Sequence, residues 1–429
     1  MFYKKHKNIC NICNNNYKKS NLIWILSLYG TAIGAGVLFL PINIGINGLF
    51  SLLIIMIIAF PMAFFSHRGL TRFVLSSKKP NKNLFNVIHE NFNKQTSFIF
   101  ILFYFFSIYP ILLIYSTAIT NTVMSFIIHQ LNIAEQSRVF VSFILISVLM
   151  GIIILGEKVI IKFMSFLVIP FILSLIFFSF YIIQFWNYSL FYEIKNIFNL
   201  DINSLLKIIW YIIPVTVFSF NHSPIISSFA VFKKRECSNC CEKTCSKILF
   251  YSNLLMIFTV IFFVFSCILS VPREAMQEAK DKNLSVLSYF SIYFEDNLMN
   301  FLGPIIAIIA IIKSFFGHYL GAKESINKIL MTTFPKLKNK KRTYLTNFTT
   351  NSLIFTSSWI IAIFNPSILN IIEAIIGPII SIILFLIPAY SIYKVPNMKR
   401  YKKEKFTNLF LFVIGIFSFL AMMHKLIIF

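Results

Sequence analysis

The sequence predicts an all-α membrane protein: eleven transmembrane helices in a five-plus-five inverted repeat, with helices one and six discontinuous. Three observations predict it. Apolar runs long enough to cross a bilayer recur along the chain. Lys and Arg concentrate in alternate loops. Two of the runs, five spans apart, are interrupted by residues that a lipid-facing helix has no use for.

Composition sets the class. Of 429 residues, 58% are hydrophobic and 13% charged, and mean hydropathy is +0.78. A soluble domain carries about 25% charged residues. The spans fall at 22–40, 44–66, 98–128, 139–155, 163–184, 206–230, 248–271, 299–321, 345–364, 371–393 and 406–428. Residues 1–20 hold lysines and an Asn run without an apolar core, so they read as a disordered cytoplasmic tail and not a signal peptide. The first repeat is expected over 21–190 and the second over 203–393, with the eleventh helix at 406–428. The longest loops, 272–298 and 322–344, are too short for a soluble domain.

Loop charge orients the spans. With the N-terminus inside, 31 of the 39 Lys and Arg residues fall in the tail and inner loops, seven fall outside, and Lys313 lies within a span. The C-terminus is then outside. The net charge of +24 is spread over short inner loops and not gathered on one face. It therefore fits attraction to the anionic lipid of the bilayer, not a nucleic-acid partner. Lys, Asn, Ile and Phe are abundant in the manner of an AT-rich genome, so single Lys or Asn residues carry little weight.

Six of the seven cysteines (Cys10, Cys13, Cys237, Cys240, Cys241 and Cys245) sit in segments assigned to the reducing side, which argues against disulfides. Cys10-x-x-Cys13 and Cys237-x-x-Cys240 have metal-ligand spacing but no supporting histidines, so no metal site is expected. Cys267 reads as a small packing residue.

The interruptions carry the chemistry. In span one the interruption runs Gly30, Thr31, Ala32, Ile33, Gly34, Ala35 and Gly36, of which Gly34, Ala35 and Gly36 remove bulk and permit non-helical backbone; the helix is expected to restart near Val37 and stop at Pro41. A restarted helix offers N–H groups and a positive dipole end to a carboxylate, and the broken end offers carbonyls to an ammonium. The competing reading is close packing of helices through small residues. In span six, Ser219, Phe220, Asn221, His222 and Ser223 lie between Pro214 and Pro224, each of which lacks a backbone donor. Their polar side chains can read a hydroxyl or amide, and Phe220 can cover an apolar face. His222 is either a proton carrier or a brace of the unwound turn. Each break follows a Trp, Trp24 or Trp210. Matched breaks in two halves of opposite orientation point to a transporter's substrate site, although the halves share no convincing residue identity.

Lys313 lies at mid-membrane, where even the lenient insertion scale sets a cost of about 2.5–3.5 kcal/mol. Ser314 is adjacent and His318 five residues on. Three roles stand open: a fixed charge in place of a bound cation, a group that gains and loses a proton, or an ammonium that braces free carbonyls of span one. Glu373, at the outer start of span ten, is expected in the interfacial layer. No paired carboxylates or His-Glu-x-x-His motif suggest an enzyme, and no cofactor is expected.

Several blocks resemble the bacterial hydroxy and aromatic amino acid permeases. They are Leu28–Pro41, His67-Arg-Gly-Leu-Thr-Arg72, Phe218–Phe229, Lys313-Ser-Phe-Phe-Gly-His-Tyr-Leu-Gly321 and Asn365-Pro-Ser-Ile-Leu369. The resemblance runs from about residue 21 to the end, and the span-six block leans toward the serine-type members. It implies the LeuT-like fold of the amino acid/polyamine/organocation transporters. It also implies uptake of L-serine, or of L-threonine, with protons across the bacterial inner membrane. A substrate role then carries to 31–36 and 219–223. The tail and Cys237–Glu242 depart from the family pattern. The reading from another class is an amino acid sensor that does not transport, although such proteins append an output domain that is not visible here.

Overall fold

An apolar stretch can cross lipid only if its backbone bonds are met internally. Accordingly, every regular element is helical among the described residues of the computed structural model, which are 14–187, 201–236, 241–334 and 343–428. The elements are α1 (Asn14–Ala32), α2 (Leu40–Asn47), α3 (Leu49–Leu75), α4 (Leu84–Asn91), α5 (Lys94–His129), α6 (Arg138–Ile154), α7 (Glu157–Tyr181), α8 (Ile202–Ser219) and α9 (Ser223–Glu236). They continue with α10 (Cys241–Ser270), α11 (Arg273–Asp281), α12 (Val286–Tyr293), α13 (Asn297–Thr333), α14 (Thr343–Phe364), α15 (Ile368–Lys394) and α16 (Lys405–Ile428).

A helix lies on each of the eleven expected ranges. Among the described residues, six helices are long and apolar enough to cross a bilayer, or up to nine when each bent pair counts as one span. Outside those, α6 is shorter and α14 is interspersed with Thr, Ser and Asn. Several helices outrun their apolar cores. The helix α13 reaches Thr333 and α3 reaches Leu75, because a helix meets its backbone bonds within the segment whether lipid, protein or water surrounds it. At the N-terminus, α1 begins at Asn14, so 14–20 are helical and not disordered. The stretch 1–13 and Cys10, Cys13, Cys237 and Cys240 lie outside the described residues. Cys267 is fully buried, as a packing residue should be.

The two breaks are present, each bent by 47°. Pro41 does not stop the first helix. It sits in the opening turn of α2, where its missing N–H has no intrahelical partner to lose, and the helix runs on to Asn47. Pro214 likewise lies inside α8, and the second break is confined to Phe220–His222. The segment read as a loop after α10 holds α11 and α12. Ser285 caps α12 through the Ser288 N–H.

The helix α15 contains two π turns, Ile372–Ile376 and Ile382–Leu386, around Gly377–Ser381. Glu373 lies in the first. It is enclosed by protein: it is 4% exposed and accepts a bond of 2.7 Å from Asn43 Nδ2. The helix α2 covers this carboxylate, which no hydropathy profile of α15 alone can register. Between the π turns, a Cβ at Gly377 would run into the Pro214 carbonyl of α8. Gly377→Ala should therefore lower the unfolding temperature of the purified chain, by an overpacking cost of about 1–3 kcal/mol. An unchanged melting curve would disprove this contact.

At the end of the bundle where α3 finishes, four charged groups converge. Arg72 meets Glu242 at 2.7 Å and Glu404 at 2.8 Å, and Arg68 meets Glu404 at 2.9 Å. The Arg72 guanidinium also lies 4.0 Å over the Tyr401 ring. These contacts tie α3, α10, the 3-10 turn Pro396–Lys403 and α16 into one corner.

Candidate substrate site

The chain leaves helical geometry at Ile33 and Gly34 because glycine lets foreign atoms approach its backbone. Gly34 is extended (φ −149°, ψ −157°), and a Cβ there would collide with the Ser314 hydroxyl. That hydroxyl instead accepts from the Ala35 N–H at 3.0 Å. The 3-10 turn Ala35–Leu38 then leads into α2.

The end of α1 leaves carbonyls without an intrahelical donor. Lys313 Nζ donates to two of them, Gly30 O and Ile33 O. Its ammonium also lies 4.9 Å over the Phe171 ring of α7. Lys313 is 2% exposed, so these carbonyls and this ring supply what water would. One turn of α13 thus holds the first break at two places, through Lys313 and Ser314.

The second break meets the first. Ser219, the last residue of α8, donates from Oγ to Gly36 O at 3.2 Å. Phe220 is buried and borders a cavity of roughly one water's size beside Ser66, His67 and Thr216. Asn221 turns back on its own chain, its Oδ1 accepting from the Ser223 N–H at 2.9 Å as a cap for α9. His222 lies against His67 of α3 with ring centroids 3.5 Å apart and planes at 8°.

The residues singled out from the sequence therefore divide. Gly34, Ala35, Lys313 and Ser314 form one cluster, and Gly36 and Ser219 join it to the second break. Thr31 bonds back to Ser27 O at 2.8 Å. Ala32 is buried at the end of α1. His318 bonds Ser314 O at 2.8 Å and meets the Tyr115 ring edge-on at 5.2 Å, facing α5 and not the break. His67 was not singled out. A histidine buried in an apolar run is costly enough to have flagged it, but its partner stands 155 positions away.

Similarity to known proteins agrees with this architecture. The model of the tryptophan/tyrosine permease family matches residues 18–424. The serine transporter SdaC of Escherichia coli (strain K12) is 46% identical over 411 residues, covering 96% of this chain and 96% of its own. The threonine/serine transporter TdcC of Escherichia fergusonii is 38% identical over 428 residues, covering 95% and 96%. Among solved structures, the crystal structure of MhsT in complex with L-phenylalanine superposes with a TM-score of 0.52 at 12% identity, over 94% of this chain and 97% of that one. The shared fold is the LeuT type.

Proposed function

Because this chain belongs to the tryptophan/tyrosine permease family, we propose that it is a proton-coupled symporter. It carries L-serine into the bacterial cytoplasm by alternating access across the inner membrane. The observation that carries this reading is the meeting of the two breaks, joined by Ser219 and Gly36 and held by Lys313 and Ser314. Broken helices that meet at membrane depth suit a small zwitterion. The start of the 3-10 turn faces its carboxylate, and the part of the broken end of α1 that Lys313 does not take faces its ammonium. Serine fits the names carried by the SdaC and TdcC relatives.

The hydroxyl has a reader of its own. His222 Nδ1 lies 3.2 Å from the Phe220 carbonyl and must donate to it. Its Nε2 is then a buried lone pair with no hydrogen-bond partner among the described residues. An acceptor of that kind favours a ligand that donates. Thr31, Ala32, Phe220, Asn221 and Ser223 complete the wall, and Lys313 couples the proton to the first break, with Ser314 beside it and His318 one turn on, against α5. The basic loops face the cytoplasm and the C-terminus the periplasm. The repeats span 21–190 and 203–393, with the eleventh helix after them.

Reconstituted vesicles test the reading. An inward pH gradient should accumulate labelled serine, and accumulation that follows sodium but ignores pH removes the proton scheme. Unlabelled threonine should compete, whereas alanine should compete worse than serine by about 100-fold or more. Alanine matching serine would contradict the role given to His222.

A further inference from the structure

Each break is tied to a distant span by one ionisable side chain: the first to Lys313 of α13, the second to His67 of α3. The second tie has a chemistry of its own. The His222 main-chain N–H, one of the donors freed by the break, donates to His67 Nε2 at 3.1 Å. His67 Nδ1 lies 2.7 Å from the Ala63 carbonyl, which can only accept, so the proton of the neutral ring sits on Nδ1. Both nitrogens of His67 are thereby committed, and the lone pair that accepts from His222 is the one a proton would take.

We propose that His67 is a proton-operated latch on the second break, a positioning residue that holds the turn at His222 while neutral and releases it when protonated. A hydronium ion transfers its proton to Nε2 and leaves water. The new N–H then points at the His222 N–H, donor against donor, and the bond is lost. The water-sized cavity that touches His67, Ser66 and Thr216 gives water a place beside the ring. Stacking at 3.5 Å against His222 permits one positive ring but opposes two, so the pair takes a single proton.

The surroundings leave the latch to this pair. From the α8–α9 break, the titratable group that faces His67 is His222, with the Asn221 amide beside it. From α15 the cavity presents Leu384 and Phe385. Arg68 and Arg72, farther along α3, are paired with Glu242 of α10 and with Glu404 before α16. The latch deepens the proton-coupled reading and rests on it for its purpose, but its motion can be measured without transport.

Hydrogen–deuterium exchange of the full-length chain in detergent, followed in peptides that cover residues 219–225 and corrected for intrinsic rates, reads the turn directly. Protection there should fall by about fivefold from about pH 8 to about pH 5, the factor one hydrogen bond provides. His67→Gln keeps an amide acceptor for His222 but takes no proton, so its protection should stay level over that range. Labelled serine uptake by His67→Gln in vesicles should be slow and lose its pH dependence, with serine affinity little changed. Protection in the native chain that ignores pH overturns the latch, and so does an equal fall in His67→Gln. A pH-sensitive turn in a chain that fails to accumulate serine under a pH gradient supports the latch and removes the transport reading alone.

Discussion

Lys313→Ala is expected to reduce the serine accumulation ratio of vesicles under an inward pH gradient to about one, while weakening serine binding by less than about tenfold, or 1.4 kcal/mol. The asymmetry follows from where the ammonium points. Its bonds go to the Gly30 and Ile33 carbonyls, so it holds the frame of the first break and not the ligand. Without it, two buried carbonyls lose their donor, at about 1–3 kcal/mol each. The break can then rearrange in either orientation without regard to the proton. Exchange of labelled for unlabelled serine, which needs no driving force, should persist in the variant. Concentrative uptake that survives the substitution would remove Lys313 from the coupling role, and loss of binding and uptake together would make it a brace.

Gly34→Ala should cut serine uptake by about tenfold to 100-fold, in line with the overpacking cost of a close backbone contact. The added methyl has one obstacle, the Ser314 hydroxyl, with the Ser314 Cβ itself 3.6 Å away in ordinary contact. The double variant Gly34→Ala/Ser314→Ala removes that obstacle. It should recover part of the lost uptake even though it forfeits the bond from the Ala35 N–H. A double variant no better than Gly34→Ala would show that the glycine serves the ligand or the conformational cycle and not the fit against α13.

Much of this was legible beforehand. Glycines at 30, 34 and 36 can mark only a break or a close approach, and here they mark both. Lys313 in an apolar run required a partner, and free carbonyls of span one were among the partners foreseen. Hydropathy reads one segment at a time, and that limits it. It could place Glu373 near the start of its span but could not give it Asn43 as a partner, because it knows nothing of α2 folding over it. It took Pro41 for a stop because a proline opening a helix and one ending it look alike in a run of apolar letters. The pairing of His67 with His222 depends on how α3 packs against the α8–α9 turn, which no periodicity encodes.

The two π turns of α15 have a mechanical corollary. Each wide turn holds one residue more than an α turn would. Tightening either to α geometry would push the helix beyond it along its axis by about 1.5 Å and twist it by about 100°. That far portion carries Pro388, which abuts Gly69 of α3, and the second wide turn itself supplies Leu384 and Phe385 above His67. The helix α15 is in this sense a screw with slack in its thread: a slip of one notch would swap the side chains that face His67 and carry Pro388 past Gly69.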